Sequence, residues 1–132
     1  MRFLELCRSG LALAIVAVLT SASGRADTLY AVSSNGGWIG TYSTVNGSAI
    51  NANLVTGLTT PEAIAFDPSL NFYVTGFTGE YVAKYQQDGT LINANYLTPG
   101  DFSQPTGIAV NGAGEIFVVN NALMPYEGGS EC

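Results

Sequence analysis

Apolar residues fall along this chain in short runs, each closed off by Gly, Asn, Asp or Pro. Beyond residue 26 no stretch sustains the 3.6-residue spacing of an amphipathic helix. The runs are 29–32 (LYAV), 38–43 (WIGTYS), 49–55 (AINANLV), 63–66 (AIAF), 71–75 (NFYVT), 81–85 (YVAKY), 91–97 (LINANYL), 107–110 (GIAV) and 115–119 (EIFVV). Each has the length of a strand and is rich in the β-branched and aromatic residues that suit a pleated surface. The pattern predicts an all-β chain. Asn46-Gly47 and Asp88-Gly89 stand between consecutive runs and predict type I′ hairpin turns, whose two central residues both need positive φ.

One longer apolar run breaks the pattern. Residues 11–19 (LALAIVAVL) are uninterrupted, follow Arg2 and Arg8, and lead into the small residues of 21–26 (SASGRA). That order is the one found in a secretory signal, with cleavage expected after Ala26 and Asp27 as the new N-terminus. Nine apolar residues fall well short of the roughly 20 that cross a bilayer. The expected location is secreted, periplasmic or extracellular, with residues 1–26 removed and no membrane span in the mature chain.

The remaining runs repeat. Ile50-Asn51-Ala52-Asn53 recurs as Ile92-Asn93-Ala94-Asn95 at an offset of 42, and Asn46-Gly47 aligns with Asp88-Gly89 at the same offset. Pro61, Ile64-Ala65-Phe66 and Phe72-Tyr73-Val74 recur at an offset of 44 as Pro105, Ile108-Ala109-Val110 and Ile116-Phe117-Val118. A unit of this length holding four short strands is what a β-propeller blade requires. Runs such as AIAF and IFVV fit its inner strands, which are covered on both faces and need not alternate strictly.

The segment 61–76 (PEAIAFDPSLNFYVTG) followed by 81–91 (YVAKYQQDGTL) resembles an NHL-type repeat, and 105–121 (PTGIAVNGAGEIFVVNN) matches its first half, Gly107 included. Ala63 stands where that pattern usually has Gly. The likeness covers about 28–121 and extends in grammar to gluconolactonase-like and streptogramin lyase-like six-bladed propellers. It implies blade parts at 29–55, 63–97 and 107–119 within a propeller segment 27–121, followed by an irregular tail, 122–132. Nine expected strands make about two and a quarter blades, whereas a closed ring needs about four or more. The reading is thus an incomplete β-propeller, a truncated copy or fragment whose remaining blades come from a longer chain or from self-association.

Composition narrows the chemistry. The chain of 132 residues has no His, which removes imidazole acid, base and metal-ligand roles from this stretch. Residues 27–132 keep one base, Lys84, against nine acids, a net charge of −8. Such a surface repels phosphate backbones and argues against nucleic-acid partners. Cys7 precedes the apolar run and Cys132 is the last residue, so the expected mature chain holds one thiol and neither a disulfide nor a zinc spacing. Lys84 shows no evident acid partner in the sequence.

In a propeller the loops near the axis form the ligand face. Here they give Glu62, Asp101, Asn120 and Asn121 as candidate binding residues, oxygen donors of the kind Ca²⁺ accepts. No regular metal spacing accompanies them, and turn or strand-end roles explain the same residues. Asn51 and Asn53, like Asn93 and Asn95, sit two apart, which places each pair on one solvated face of an outer strand or makes a carbohydrate-binding ladder. Trp38 is expected to pack between blades. The favoured function is a secreted, non-enzymatic binding or scaffold module for a protein or carbohydrate ligand. The alternative is a fragment of a metal-dependent propeller hydrolase or lyase of the gluconolactonase-like type.

Overall fold

The computed structural model of the chain describes residues 14–19, 28–97 and 103–121. Among them are ten strands and no helix: β1 (Ala14–Leu19), β2 (Thr28–Ser33), β3 (Trp38–Ser43), β4 (Ala49–Thr56), β5 (Pro61–Phe66), β6 (Phe72–Gly76), β7 (Tyr81–Tyr85), β8 (Leu91–Leu97), β9 (Pro105–Val110) and β10 (Ile116–Asn120). They form three antiparallel sheets, with orders β1-β2-β3-β4, β5-β6-β7-β8 and β9-β10, so each strand pairs with its neighbour in sequence. We call these sheets 1, 2 and 3.

Nine of these strands lie where the apolar runs place them. The clearest shift is at β5 and β9, which start at Pro61 and Pro105, two residues before the runs. A proline can open a strand there because the first position needs no ladder donor. The tenth strand, β1, lies inside the run expected to be a secretory signal and pairs along its full length with β2, from Ala14↔Ser33 to Leu19↔Thr28. Sheet 1 therefore has four strands, not the three expected of 29–55. Ile15, Val16 and Val18 are as suited to a strand as to an apolar signal core, and hydrophobicity alone does not separate the two. The expected cleavage point at Ala26 and the tail 122–132 lie outside the described residues.

The sequence repeat is also a repeat of register. Tyr30 faces Thr41 across β2 and β3 as Tyr73 faces Lys84 across β6 and β7, and Val32↔Ile39 corresponds to Thr75↔Val82. The outer strands carry the same irregularity. In sheet 1 the pairing steps from Ile39↔Val55 to Thr41↔Asn51 and Tyr42↔Ala49; in sheet 2 it steps from Val82↔Leu97 to Lys84↔Asn93 and Tyr85↔Leu91. The Asn carboxamides help form these bulges: Asn51 Oδ1 accepts from the Asn53 amide at 3.1 Å and Asn93 Oδ1 from the Asn95 amide at 3.0 Å. The INAN motif is thus a local backbone device on an exposed strand, and its first Asn curls onto the chain where a flat ladder would have both side chains standing free.

The hairpin turns differ from the expected type I′. Only Gly47 and Gly89 have positive φ; Asn46 and Asp88 do not. The 87–89 loop is closed by Gln86 N–H to Thr90 O at 2.8 Å and Gly89 N–H to Gln86 O at 3.0 Å, a three-residue turn ending in a left-handed residue. The same closure recurs at 68–70 and 112–114, where Leu70 (φ 65°) and Gly114 (φ 84°) take the left-handed position. Asp67 and Asn111 each accept two backbone amides that shape these loops. One positive φ suffices in these loops, whose remaining residues stay outside the left-handed region.

The core lies between sheets 1 and 2. Tyr30, Val32, Ile39 and Val55 meet Ile64, Phe72, Val74, Ala83 and Tyr85. Phe72 is fully buried, stacks on Tyr85 with centroids 5.2 Å apart and meets Tyr30 and Phe66 at 5.9 and 5.7 Å. Every residue of β6 is buried, since sheet 1 covers one face and β9 packs across β5 and β6 on the other. Trp38 precedes the fully buried Ile39 and so turns to the opposite face of sheet 1, where it is half-buried outside this core.

Candidate functional site

One end of the sheets gathers the loops expected to bear ligand contacts. It comprises the β2–β3 turn, the β4–β5 loop, the β6–β7 turn and the segment entering β9. Their geometry is strained in a repeated way. Thr60, Glu80 and Gln104 are non-glycine residues with φ of 41°, 49° and 54°, a conformation that costs an L-residue about 1–2 kcal/mol. Thr60 and Gln104 occupy the same repeat position, each before a fully buried proline, Pro61 or Pro105. Each turns its carbonyl to the amide leaving the next strand: Phe77 N–H donates to Thr60 O at 2.9 Å and Asn121 N–H to Gln104 O at 3.3 Å. Thr60 is further tied by its hydroxyl, 2.5 Å from that of Thr78, and by the Thr78 amide at 2.8 Å.

Glu62 is aimed by a bulge. β5 pairs Pro61 with Gly76 and then Ala63 with Thr75, leaving Glu62 as the extra residue, and the Ala63 amide turns to Thr75 Oγ1 at 3.0 Å. The bulge delivers the Glu62 carboxylate to sheet 1, where Ser34 Oγ donates to it at 2.9 Å. A second carboxylate makes the corresponding reach toward sheet 3. Ser103 Oγ donates to Glu80 Oε1 at 2.8 Å, and the Ser103 amide donates to Asn120 Oδ1 at 2.8 Å. Serine–carboxylate links therefore bridge both steps of the stack at this end.

Of the expected site residues, Asn120 joins this network through its side chain, Glu62 joins through Ser34, and Asn121 takes part through its backbone amide while remaining exposed. Asp101 lies outside the described residues. Glu80 and Ser103 were not singled out from sequence. The repeat signals only Ser103, which stands two residues before Pro105 as Thr59 stands before Pro61; Glu80, whose counterpart is Gly37, is marked only by its place directly before a strand. Among the described residues no three acidic or thiol groups come together to hold a metal ion. The oxygen donors Glu80, Ser103 and Asn120 are joined to one another, which leaves a hydrogen-bonding, negatively charged rim.

The basic residue of the described chain sits elsewhere. Lys84 Nζ lies 3.4 Å from Asp67 Oδ2 and over the rings of Tyr73 and Tyr96, 4.9 and 5.3 Å from their centroids. Asp67, 17 positions earlier, is the acid partner that the linear sequence did not reveal. The Lys84 ammonium is held above its usual range, first by Tyr73 and then by Asp67, with desolvation acting the other way. Burial alone would raise the Asp67 carboxyl, but hydrogen bonds from Asn71 and Lys84 outweigh it and hold the group below the usual range. Lys84 is thereby committed to its own sheet, and among the described residues no base faces Glu62 or Glu80.

A scan of protein-family models found none that matches the chain, and a search of curated proteins found no match.

Proposed function

We propose that the four-stranded sheets are blades of an NHL-like β-propeller and that the chain serves as a secreted, non-enzymatic binding or scaffold module. The observation that carries this reading is the recurrence of β2-β3-β4 as β6-β7-β8: cross-strand partners and the two outer-strand register steps return at 42–43 residues, whereas β1 pairs with β2 at a different spacing and without the bulge of β5. Recurrence of defects as well as strands is what a stacked repeat produces. The apolar start with its small-residue stretch supports export, and its removal on export would take β1 with it and leave sheet 1 as β2-β3-β4.

The ligand end carries Glu62 and Glu80 with hydroxyl and carboxamide groups beside them. That chemistry favours a cationic protein segment or a hydroxyl-rich carbohydrate, with a charge-assisted hydrogen bond as the strongest single contact. The test is titration of the chain with a lysine-rich peptide and, separately, with neutral oligosaccharides, followed by amide NMR shifts. The expected result is perturbation confined to residues 34, 60–62, 78–80, 103–104 and 120–121, weakened by Glu62→Gln with Glu80→Gln. Shifts centred on Lys84 and Tyr96, or none with either probe, would overturn the assignment of this end.

A further inference from the structure

Three pairs of residues hold one place in three successive sheets: Tyr30 and Val32 on β2, Tyr73 and Thr75 on β6, and Phe117 and Val119 on β10. The first two pairs are buried, with exposures of 3% and 1%, then 3% and 0%. Phe117 and Val119 are 58% and 62% exposed. The difference follows from what lies in front of each. Tyr30 and Val32 are covered by sheet 2, and the face carrying Tyr73 and Thr75 receives β9, with Lys84 and Tyr96 adding cover over Tyr73. No described sheet follows sheet 3.

The covering surface is also repeated. Sheet 2 covers sheet 1 with the face that bears Phe72, Val74, Tyr81 and Tyr85. Forty-three positions earlier, sheet 1 carries Leu29, Ala31, Trp38 and Tyr42. Strand alternation puts these four on the face turned away from sheet 2, where Leu29, Trp38 and Tyr42 are partly exposed. Among the described residues, one end of the stack thus has an exposed receiving face, and the other has a partly exposed face of the type that covers it, with Ala31 buried within it. Both are uncharged at these positions.

We propose that the Phe117/Val119 face is the docking surface for a second copy of this chain, which seats the Leu29/Trp38/Tyr42 face of its first sheet there. The contact continues the sheet-on-sheet stack and is head-to-tail, so each copy keeps one face of each kind available for a further contact or for ring closure. This rests on the repeat and on burial, independently of the ligand reading above.

The test is sedimentation velocity of the full chain under reducing conditions over a wide concentration range. Association is expected, and Val119→Asp or Tyr42→Asp is expected to weaken it about tenfold or more, as an acid buried in an apolar contact does. Mixing the two variants is expected to restore a two-chain species, because each retains the face the other lacks. A parallel Phe117→Ser variant, with circular dichroism, distinguishes lost docking from lost folding. A monomeric wild-type chain would overturn the proposal and leave the face to a following stretch of a longer chain. Association that ignores Val119→Asp, or that mixing fails to restore, would overturn it in favour of another contact.

Discussion

Lys84 and Asp67 meet at 3.4 Å beside the cross-strand partner of Lys84, Tyr73, whose hydroxyl also donates to Asp67 Oδ2 at 3.3 Å. Their side chains are only 18% and 10% exposed, so the pair is shielded in the face between sheets 2 and 3. Asn71 Nδ2 donates to the same oxygen at 3.1 Å.

Removing Lys84 leaves a shielded carboxylate with its other hydrogen bonds intact. Lys84→Met is expected to cost about 1–3 kcal/mol in urea unfolding at neutral pH. An unchanged midpoint and slope would show that the pair adds nothing.

The pair also sets a pH dependence. The Asp67 carboxyl is held below its ordinary 3.8, so its contribution is present above that value and fades as pH falls through the lowered one. Lys84 is held above 10.5, so its contribution is present below that value and fades as pH rises through the raised one. Unfolding measured at pH 7 and at about pH 3 is expected to show a loss that is smaller in Asp67→Asn than in the wild type.

Leu70 occupies the left-handed position that Gly89 and Gly114 fill in the equivalent loops, and the residue is 44% exposed. Leu70→Gly is expected to stabilise the chain by about 0.5–1 kcal/mol, relief of strain exceeding the added chain entropy and the little apolar cover lost. Thermal unfolding reads the sign directly, and a lower midpoint contradicts the argument.

Among the described residues the Tyr81 hydroxyl is buried with no hydrogen bond of good geometry, and its pKa is pushed up to about 12, chiefly by burial and then by Tyr85, with the nearby Thr59 backbone acting the other way. Tyr81→Phe is expected to be neutral or stabilising by about 1 kcal/mol, since it removes an unsatisfied group and keeps the ring. Gly76→Ala should do the reverse, because a Cβ at Gly76 would collide with the Tyr81 ring; a loss of about 1–3 kcal/mol is expected from the same unfolding measurement.

Asn51→Ala and Asn93→Ala each free one exposed amide, at Asn53 and Asn95. Each is expected to cost about 0.5–1 kcal/mol, and the double variant their sum, because the two bulges share no partner. A double variant no worse than either single change would mean the bulges form without the Asn side chains.

Much of this architecture is legible from apolar spacing, because strand length and punctuation are local properties. LINANYL and AINANLV announce matching outer strands, and Pro61 and Pro105 mark where inner strands begin. What escapes is whatever depends on a fold-dependent contact or on competing readings of one segment. Asp67 reaches Lys84 only after two hairpins bring β5 and β7 to either side of β6. Glu80 joins the hydrogen-bonded network at that end only when Ser103 arrives from 23 positions away. The run containing β1 satisfies the requirements of a signal and of a strand equally well. Turn type escaped because Asn46 and Asp88 tolerate positive φ without adopting it.

Pairing every strand with its sequence neighbour has a kinetic consequence. Each sheet closes through short loops alone, so its loop-closure entropy is small and it can form before the next sheet exists. Distant parts of the chain are joined by the stacking of sheet 1 on sheet 2, through Tyr30, Ile39, Phe72 and Tyr85, and by β9 packing across β5 and β6. A chain emerging from the ribosome N-terminus first can therefore zip one sheet at a time, and amide exchange should be slowest in β6 and fastest in β10, at the growing end of the stack.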